Sequence, residues 1–157
     1  MRIPIQKAVE RQTDMLLSNI QALVDLYPQF EAEAGDWDYG AQLFHLVTSL
    51  DKWFVDPDGE RGNVVEMLRR AHHRIPASDM ASYFKDIGER IREFIHSNPD
   101  WESSPGEMEW SHLELIMGQF RHAMHHVGYL HAYLRFKGIK PPEWIGLSQA
   151  GKHARSA

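Results

Sequence analysis

Apolar residues recur at intervals of three and four along most of this chain, which is the spacing of amphipathic helices. Residues 5–30 form the first such stretch, which Pro28 and the polar run after it bring to an end. A second stretch begins near Asp36 or Asp38, either of which can cap a helix, and extends to about Val55. The pattern therefore predicts two long helices in the first third of the chain.

Two further long helices are predicted in the second half of the chain. Ser78 or Asp79 is placed to cap a third helix, whose apolar positions continue to Ile95. A fourth helix occupies about residues 111–137 and stops at Gly138, since glycine is common just after a helix. The segment between these helices contains two prolines and a glycine, so it predicts an irregular connection before the last helix.

The remaining segments complete the predicted fold. Residues 56–62 have the composition of a turn, and residues 63–73 fit two short helical turns. Strand-like alternation and internal repeats are both absent from the sequence. We therefore predict an all-α protein, an up-down four-helix bundle over residues 1–145, with a polar, frayed tail at 146–157.

The composition excludes several classes of function. The 157 residues carry a formal net charge of -5, which argues against a nucleic-acid partner. The chain has no cysteine, so any thiol chemistry needs a bound small-molecule thiol. The first residues lack the apolar run of a secretory signal, and no stretch approaches the ~18 apolar residues of a membrane helix. We expect a soluble, cytoplasmic protein without a membrane partner.

The fourth helix has one clear apolar seam by helical count, which predicts its core-facing side. One histidine, His131, lies on this seam, where a hydrogen-bonded core residue is a commoner role than metal ligation. The seam consists of Leu113, Met117, Phe120, Met124, Val127, His131 and Leu134.

His122 and His126 are four residues apart, so they lie one turn apart on one face of this helix. That spacing lets two imidazoles converge on one metal ion. Their face lies roughly 120–160° from the seam, so two solvated histidines are the simpler interpretation. The same side also carries Leu115, Leu130 and two tyrosines, Tyr129 and Tyr133, which favours a half-buried cleft. Ala123 stands where zinc proteases have a glutamate, so that chemistry is not expected.

Two segments carry a resemblance to a known family. Residues 121–142, RHAMHHVGYLHAYLRFKGIKPP, resemble the last helix of the DinB/YfiT-like superfamily, with its His-x-x-His-His-x-Gly element. In the second helix, Trp37 and Trp53 flank His45 at eight residues on either side, as in the same superfamily. The resemblance implies a four-helix bundle that forms a homodimer.

The resemblance also implies a divalent metal held by His45, His122 and His126. Periodicity alone would leave His45 exposed, because it points away from the apolar stripe of the second helix. His125 occupies the middle of the element, where the family does not use it as a ligand. Many members have arginine and glutamine where this chain has Val127 and Tyr129. The polar groups near the metal therefore differ, and the resemblance does not assign a particular member's substrate to this chain.

Three imidazoles suit several divalent metals, zinc or nickel first, and leave at least one coordination position for water or substrate. The resemblance implies a metal-dependent enzyme that activates a thiol or water, of the thiol-S-transferase or hydrolase type. A small-molecule thiol and an electrophile would be its partners, with Tyr129 or Tyr133 orienting the substrate. Two alternatives remain: a non-catalytic, stress-associated metal-binding protein, or a dimeric bundle whose histidines are incidental.

Overall fold

The computed structural model describes residues 4–33, 38–50, 75–97, 99–106 and 108–146. These residues form four α-helices and no strand, which confirms the all-α class. The helices are α1 (Ile5–Val24), α2 (Tyr39–Leu50), α3 (Ala77–His96) and α4 (His112–Phe136). The short turns predicted at 63–73, the two flanking tryptophans Trp37 and Trp53, and the polar tail from residue 147 lie outside the described residues.

The first helix is shorter than the sequence predicts. It ends at Val24 and is followed by a separate 3-10 turn, Tyr27–Gln29. Pro28 explains the early end, because a proline ring clashes with the carbonyl four residues earlier and has no N–H to donate. The carbonyl four residues before Pro28 is that of Val24, where the helix stops.

The predicted Asp38 cap of α2 and the predicted stop of α4 at Gly138 are confirmed. Asp38, one of the two candidates, accepts a 2.7 Å hydrogen bond from the backbone N–H of Ala41. Ser111 and Glu114 form a reciprocal capping box at the start of α4. Gly138, with φ of 74°, follows the end of α4 and takes the left-handed conformation expected there.

The cap predicted for α3 was wrong. The helix begins at Ala77, and neither Ser78 nor Asp79 bonds a backbone N–H at its start. Pro76 precedes it, and the Pro76 carbonyl accepts the N–H groups of Asp79 and Met80, both at 3.0 Å. The backbone therefore begins the helix one residue before the polar pair, and the Ser78 hydroxyl bonds the Asp79 carboxylate instead.

The four helices pack so that α1 contacts α3 and α4, and α2 contacts the same two helices from the other side. Although α1 and α2 are consecutive, they contact each other less than either contacts α3 or α4. In α2 every residue except His45 is buried, so this helix is covered around its whole circumference. The largest fully buried side chains are Tyr39, Phe44, Ile20, Leu23, Leu43, Leu46, Leu50, Met80, Ile87, Ile91 and Ile95.

The buried face of α4 differs from the predicted seam. Met117 and Met124, predicted to face the core, are 54% and 39% exposed. His126 takes part in the buried face because it meets Gln42 of α2, whereas a count of apolar positions alone placed it on the opposite side. The buried residues of α4 are Ile116, Gln119, Ala123, His126, Val127, Leu130 and Leu134.

None of the helices in the described part of the chain combines the length and apolar character that crossing a bilayer requires.

Candidate metal centre

The packing of α2 against α4 brings three histidines together. His45 comes from α2, while His122 and His126 come from successive turns of α4. One ring nitrogen from each lies within 4.8 Å of the others. The three therefore lie close enough to bind one metal ion, and the predicted residues are the ones that the structure brings together.

Their rings converge without stacking. The ring centre of His45 lies 4.6 Å from that of His126 and 5.4 Å from that of His122, with interplanar angles of 64° and 79°. The Nε2 atoms of His122 and His126 are 2.9 Å apart. Edge-on imidazoles that direct nitrogens toward a common point are the arrangement that metal ligation requires.

His126 is the most enclosed of the three and has a second polar partner. Its side chain is only 8% exposed, and its Nδ1 lies 3.2 Å from the Oε1 of Gln42, which is also buried. Because an amide oxygen only accepts, Nδ1 must carry the proton and donate it. The lone pair is then on Nε2, the atom that faces His122, so Gln42 selects the tautomer that a metal ion needs.

Burial sets the charge state of this group. Burial first, and then the neighbouring His45, His122 and His125, together lower the pKa of His126 from 6.5 to about 4. Burial, and then His125, also lowers the pKa of His122. Near neutral pH both imidazoles are uncharged, which is the form that coordinates a cation.

Two further histidines near the centre of α4, His125 and His131, lie outside the converging group. His125 is exposed, although its ring centre is 5.2 Å from that of His126. The ring of His131 packs edge-on to Trp144 at 6.3 Å, and burial, followed by Arg135, lowers its pKa. His131 is therefore half-buried beside Trp144 and lies outside the buried face of α4, so the predicted core position was wrong.

The two tyrosine candidates have different surroundings. The Tyr133 hydroxyl donates a 2.5 Å hydrogen bond to Oε2 of Glu33, whose other oxygen accepts from Lys137 at 2.9 Å. Its ring lies 6.1 Å from that of Tyr39, at the start of α2. Tyr129 is 37% exposed.

Sequence reasoning missed Gln42, although a signal for it exists. Gln42 lies three residues before His45 on a helix that is otherwise strongly apolar, so the two side chains share a face. A lone amide beside a predicted ligand is the pattern expected of a residue that orients a second ligand.

Comparison with protein-family models, with curated proteins and with solved structures gives no match for this chain. The fold and the site together define an all-helical protein with a group of three histidines close enough to bind a metal ion.

Proposed function

We propose that this chain is a DinB/YfiT-like up-down four-helix bundle that binds one divalent metal ion, zinc or nickel, through His45, His122 and His126. The observation that carries the proposal is the convergence of three imidazole nitrogens from two helices to within 4.8 Å of one another. The tautomer selected by Gln42 and the lowered pKa of His126 support it, because both favour a neutral, ligating imidazole.

The donor set fits such an ion. Neutral imidazoles suit borderline divalent metals, and three protein ligands leave a position for an exchangeable group. When bound, a divalent cation here supplies Lewis acidity that lowers the pKa of a water or thiol. The buried ring of His126 is held in one orientation by its hydrogen bond to Gln42.

We further propose that the protein is a metal-dependent enzyme of the thiol-S-transferase or hydrolase type. A low-molecular-weight thiol would be a cosubstrate in the first case, since the chain has no cysteine. Tyr133 would need to release Glu33 before its hydroxyl could orient a substrate, whereas Tyr129 lies at the surface.

The first test is metal analysis of the untagged protein and of His45→Ala, His122→Ala and His126→Ala. We expect about one zinc or nickel per chain in the wild type and loss of the metal in each variant with helicity retained. His125→Ala is the matched control, because it removes an exposed histidine from the same turn of α4 and should keep the metal. A wild type that takes up neither metal would overturn the proposed site.

The second test addresses turnover. The metal-loaded protein is screened with low-molecular-weight thiols paired with electrophiles, and with ester and amide substrates. We expect activity that disappears on chelation and returns when zinc or nickel is restored. Activity that survives chelation would overturn the proposed metal dependence, whereas a fully loaded protein with no turnover would favour the non-catalytic interpretation.

A further inference from the structure

Three histidines in the middle of α4 differ in exposure in a regular order. His126 is buried, His122 is half-buried and His125 is exposed. At about 100° per residue, His126 lies roughly 40° to one side of His122 around the helix axis, and His125 lies roughly 60° to the other. Exposure therefore increases around α4 from His126 through His122 to His125, and the candidate metal centre is reached from solvent on the side of His125.

His125 lies close to the candidate ligands without belonging to their group. Its ring centre is 5.2 Å from that of His126, and the ring centre of His122 is 4.7 Å from that of His126. His122 and His125 are three residues apart, which makes their side chains neighbours on the helix surface. The group whose nitrogens all lie within 4.8 Å of one another includes His45 of α2 and does not include His125.

The buried and exposed ends of this row differ in how firmly they are held. The ring of His126 is only 8% exposed and is hydrogen-bonded to Gln42, so its orientation is fixed. His125 is exposed, and exposed side chains change rotamer within picoseconds to nanoseconds. The imidazole of His125 can therefore turn between solvent and the ligand group, whereas that of His126 cannot.

His122 and His126 must separate before both can coordinate one ion. Their Nε2 atoms are 2.9 Å apart, which is a hydrogen-bond distance. Nitrogens that share a tetrahedral ion at bond lengths of about 2.0–2.1 Å lie about 3.3–3.4 Å from each other. Because Gln42 holds His126, His122 is the ring that moves, and an incoming ion needs another ligand while it does so.

We propose that His125 is the capture ligand of the metal centre: it binds an incoming hydrated divalent ion first and passes it to the three converging histidines. The imidazole replaces one water of the hydration shell at this step, and no electron is transferred. An ion held beside the centre has an effective concentration far above its bulk value, so the remaining bonds form quickly. The inference rests on the metal site proposed above and gives His125 a role in rate rather than in affinity.

Stopped-flow absorption with cobalt(II) tests this role, because the visible absorption of cobalt(II) reports imidazole coordination directly. Association is measured by mixing the metal-free full chain with cobalt(II), and dissociation by mixing the loaded protein with excess chelator. His125→Ala should lower both rate constants by the same factor, roughly tenfold, because His125 acts on the path and is not bound in the final site. The dissociation constant and the final spectrum should be those of the wild type.

Two further kinds of variant control for general effects of the substitution. His96→Ala removes another exposed histidine, from α3, and should leave both rate constants unchanged. His125→Asp restores a metal ligand and should recover most of the lost rate, whereas His125→Asn, of similar size, should not. Since the added negative charge also attracts cations, both variants are compared at low and high salt. Recovery that disappears at high salt would overturn coordination by residue 125 as the cause.

The remaining outcomes separate this inference from the metal site itself. Unchanged rates in His125→Ala with a loaded wild type would overturn the inference alone, as would an equal slowing in His96→Ala. Weaker affinity with an altered cobalt spectrum in His125→Ala would also overturn it, because His125 would then be a ligand of the final site. A wild type that binds no cobalt, zinc or nickel would remove the proposed metal site, and with it the capture role.

Discussion

At the scale of single residues, Gln42 connects the buried interior of α2 to the imidazole of His126. Its side chain is 4% exposed, and its amide oxygen accepts from Nδ1 of His126. A hydrogen bond of this kind orients the ring and leaves Nε2 as the ligand atom. The position of His126 therefore depends on a residue from another helix.

Gln42→Leu is expected to weaken zinc affinity about 10- to 100-fold, because the ring of His126 loses the partner that selects its tautomer. Competition with a chromophoric chelator measures the affinity, and circular dichroism checks the helicity. Gln42→Glu keeps an acceptor at the same place and should retain tight binding. A leucine variant with wild-type affinity would show that the hydrogen bond has no part in ligation.

The histidines show which features of single residues could be predicted from the sequence. The spacing of His122 and His126 predicted a shared helical face, and the structure confirms it. The neighbouring apolar residues of α4 also predicted half-burial, and His122 is half-buried while His126 is buried. That α2 is the helix covering them was not predictable from α4, because its position is a tertiary property. His45 was expected at the surface by periodicity and is half-buried, since α2 lacks a solvent-facing side.

At the scale of helices, the link between the segment after α1 and the end of α4 is polar. Glu33 accepts from Tyr133 and from Lys137, and both donors belong to the last turns of α4 or its cap. Burial acts to raise the pKa of Glu33, but the hydrogen bonds from Tyr133 and Lys137 outweigh it, so the pKa is lowered. The ionised carboxylate therefore stabilises the folded state.

Glu33→Gln should lower the free energy of unfolding by about 1 kcal/mol near neutral pH. A lowered folded-state pKa means that the contribution is complete above the unfolded value of 4.5 and is lost as pH falls below it. Urea unfolding of the wild type and the variant from pH 7 to pH 3 measures the difference, which should shrink toward the acid end. Glu31→Gln, an exposed neighbour, is the control, and a pH-independent gap would contradict the assignment.

Helix ends were predictable where a local side chain forms the cap. Ser111 with Glu114, and Asp38 with Ala41, follow from short-range hydrogen bonding that the sequence displays directly. The start of α3 was missed because Pro76 begins the helix through its backbone carbonyl. The seam of α4 was misplaced because methionines were taken as core residues, although Met117 lines an open groove.

At the scale of the whole molecule, the candidate ligands join two helices that are far apart in sequence. His45 belongs to α2 and the other two histidines to α4, so the ligand set forms only when these helices pack. A metal ion would therefore bind the folded protein far better than the unfolded chain, and binding would stabilise the fold.

A saturating metal should raise the melting temperature. At a free concentration of 100 times the dissociation constant, the stabilisation is about 2.7 kcal/mol, which corresponds to a rise of about 5–10 °C for a chain of this size. Thermal unfolding with zinc, and again after chelation, measures it. His45→Ala should melt at the same temperature with and without zinc, and an equal rise in that variant would point to binding elsewhere.

The enclosure of α2 also bears on how its sequence can vary. A helix with one buried face tolerates substitution with a period of about 3.6 residues. Eleven of the twelve residues of α2 are buried, so a saturation library scored for cellular abundance should show almost uniform intolerance along it. His45 is the one residue of α2 that is not buried, so more substitutions should be tolerated there than elsewhere in the helix. Selection for metal binding would restrain variation at His45 in addition to selection for the fold.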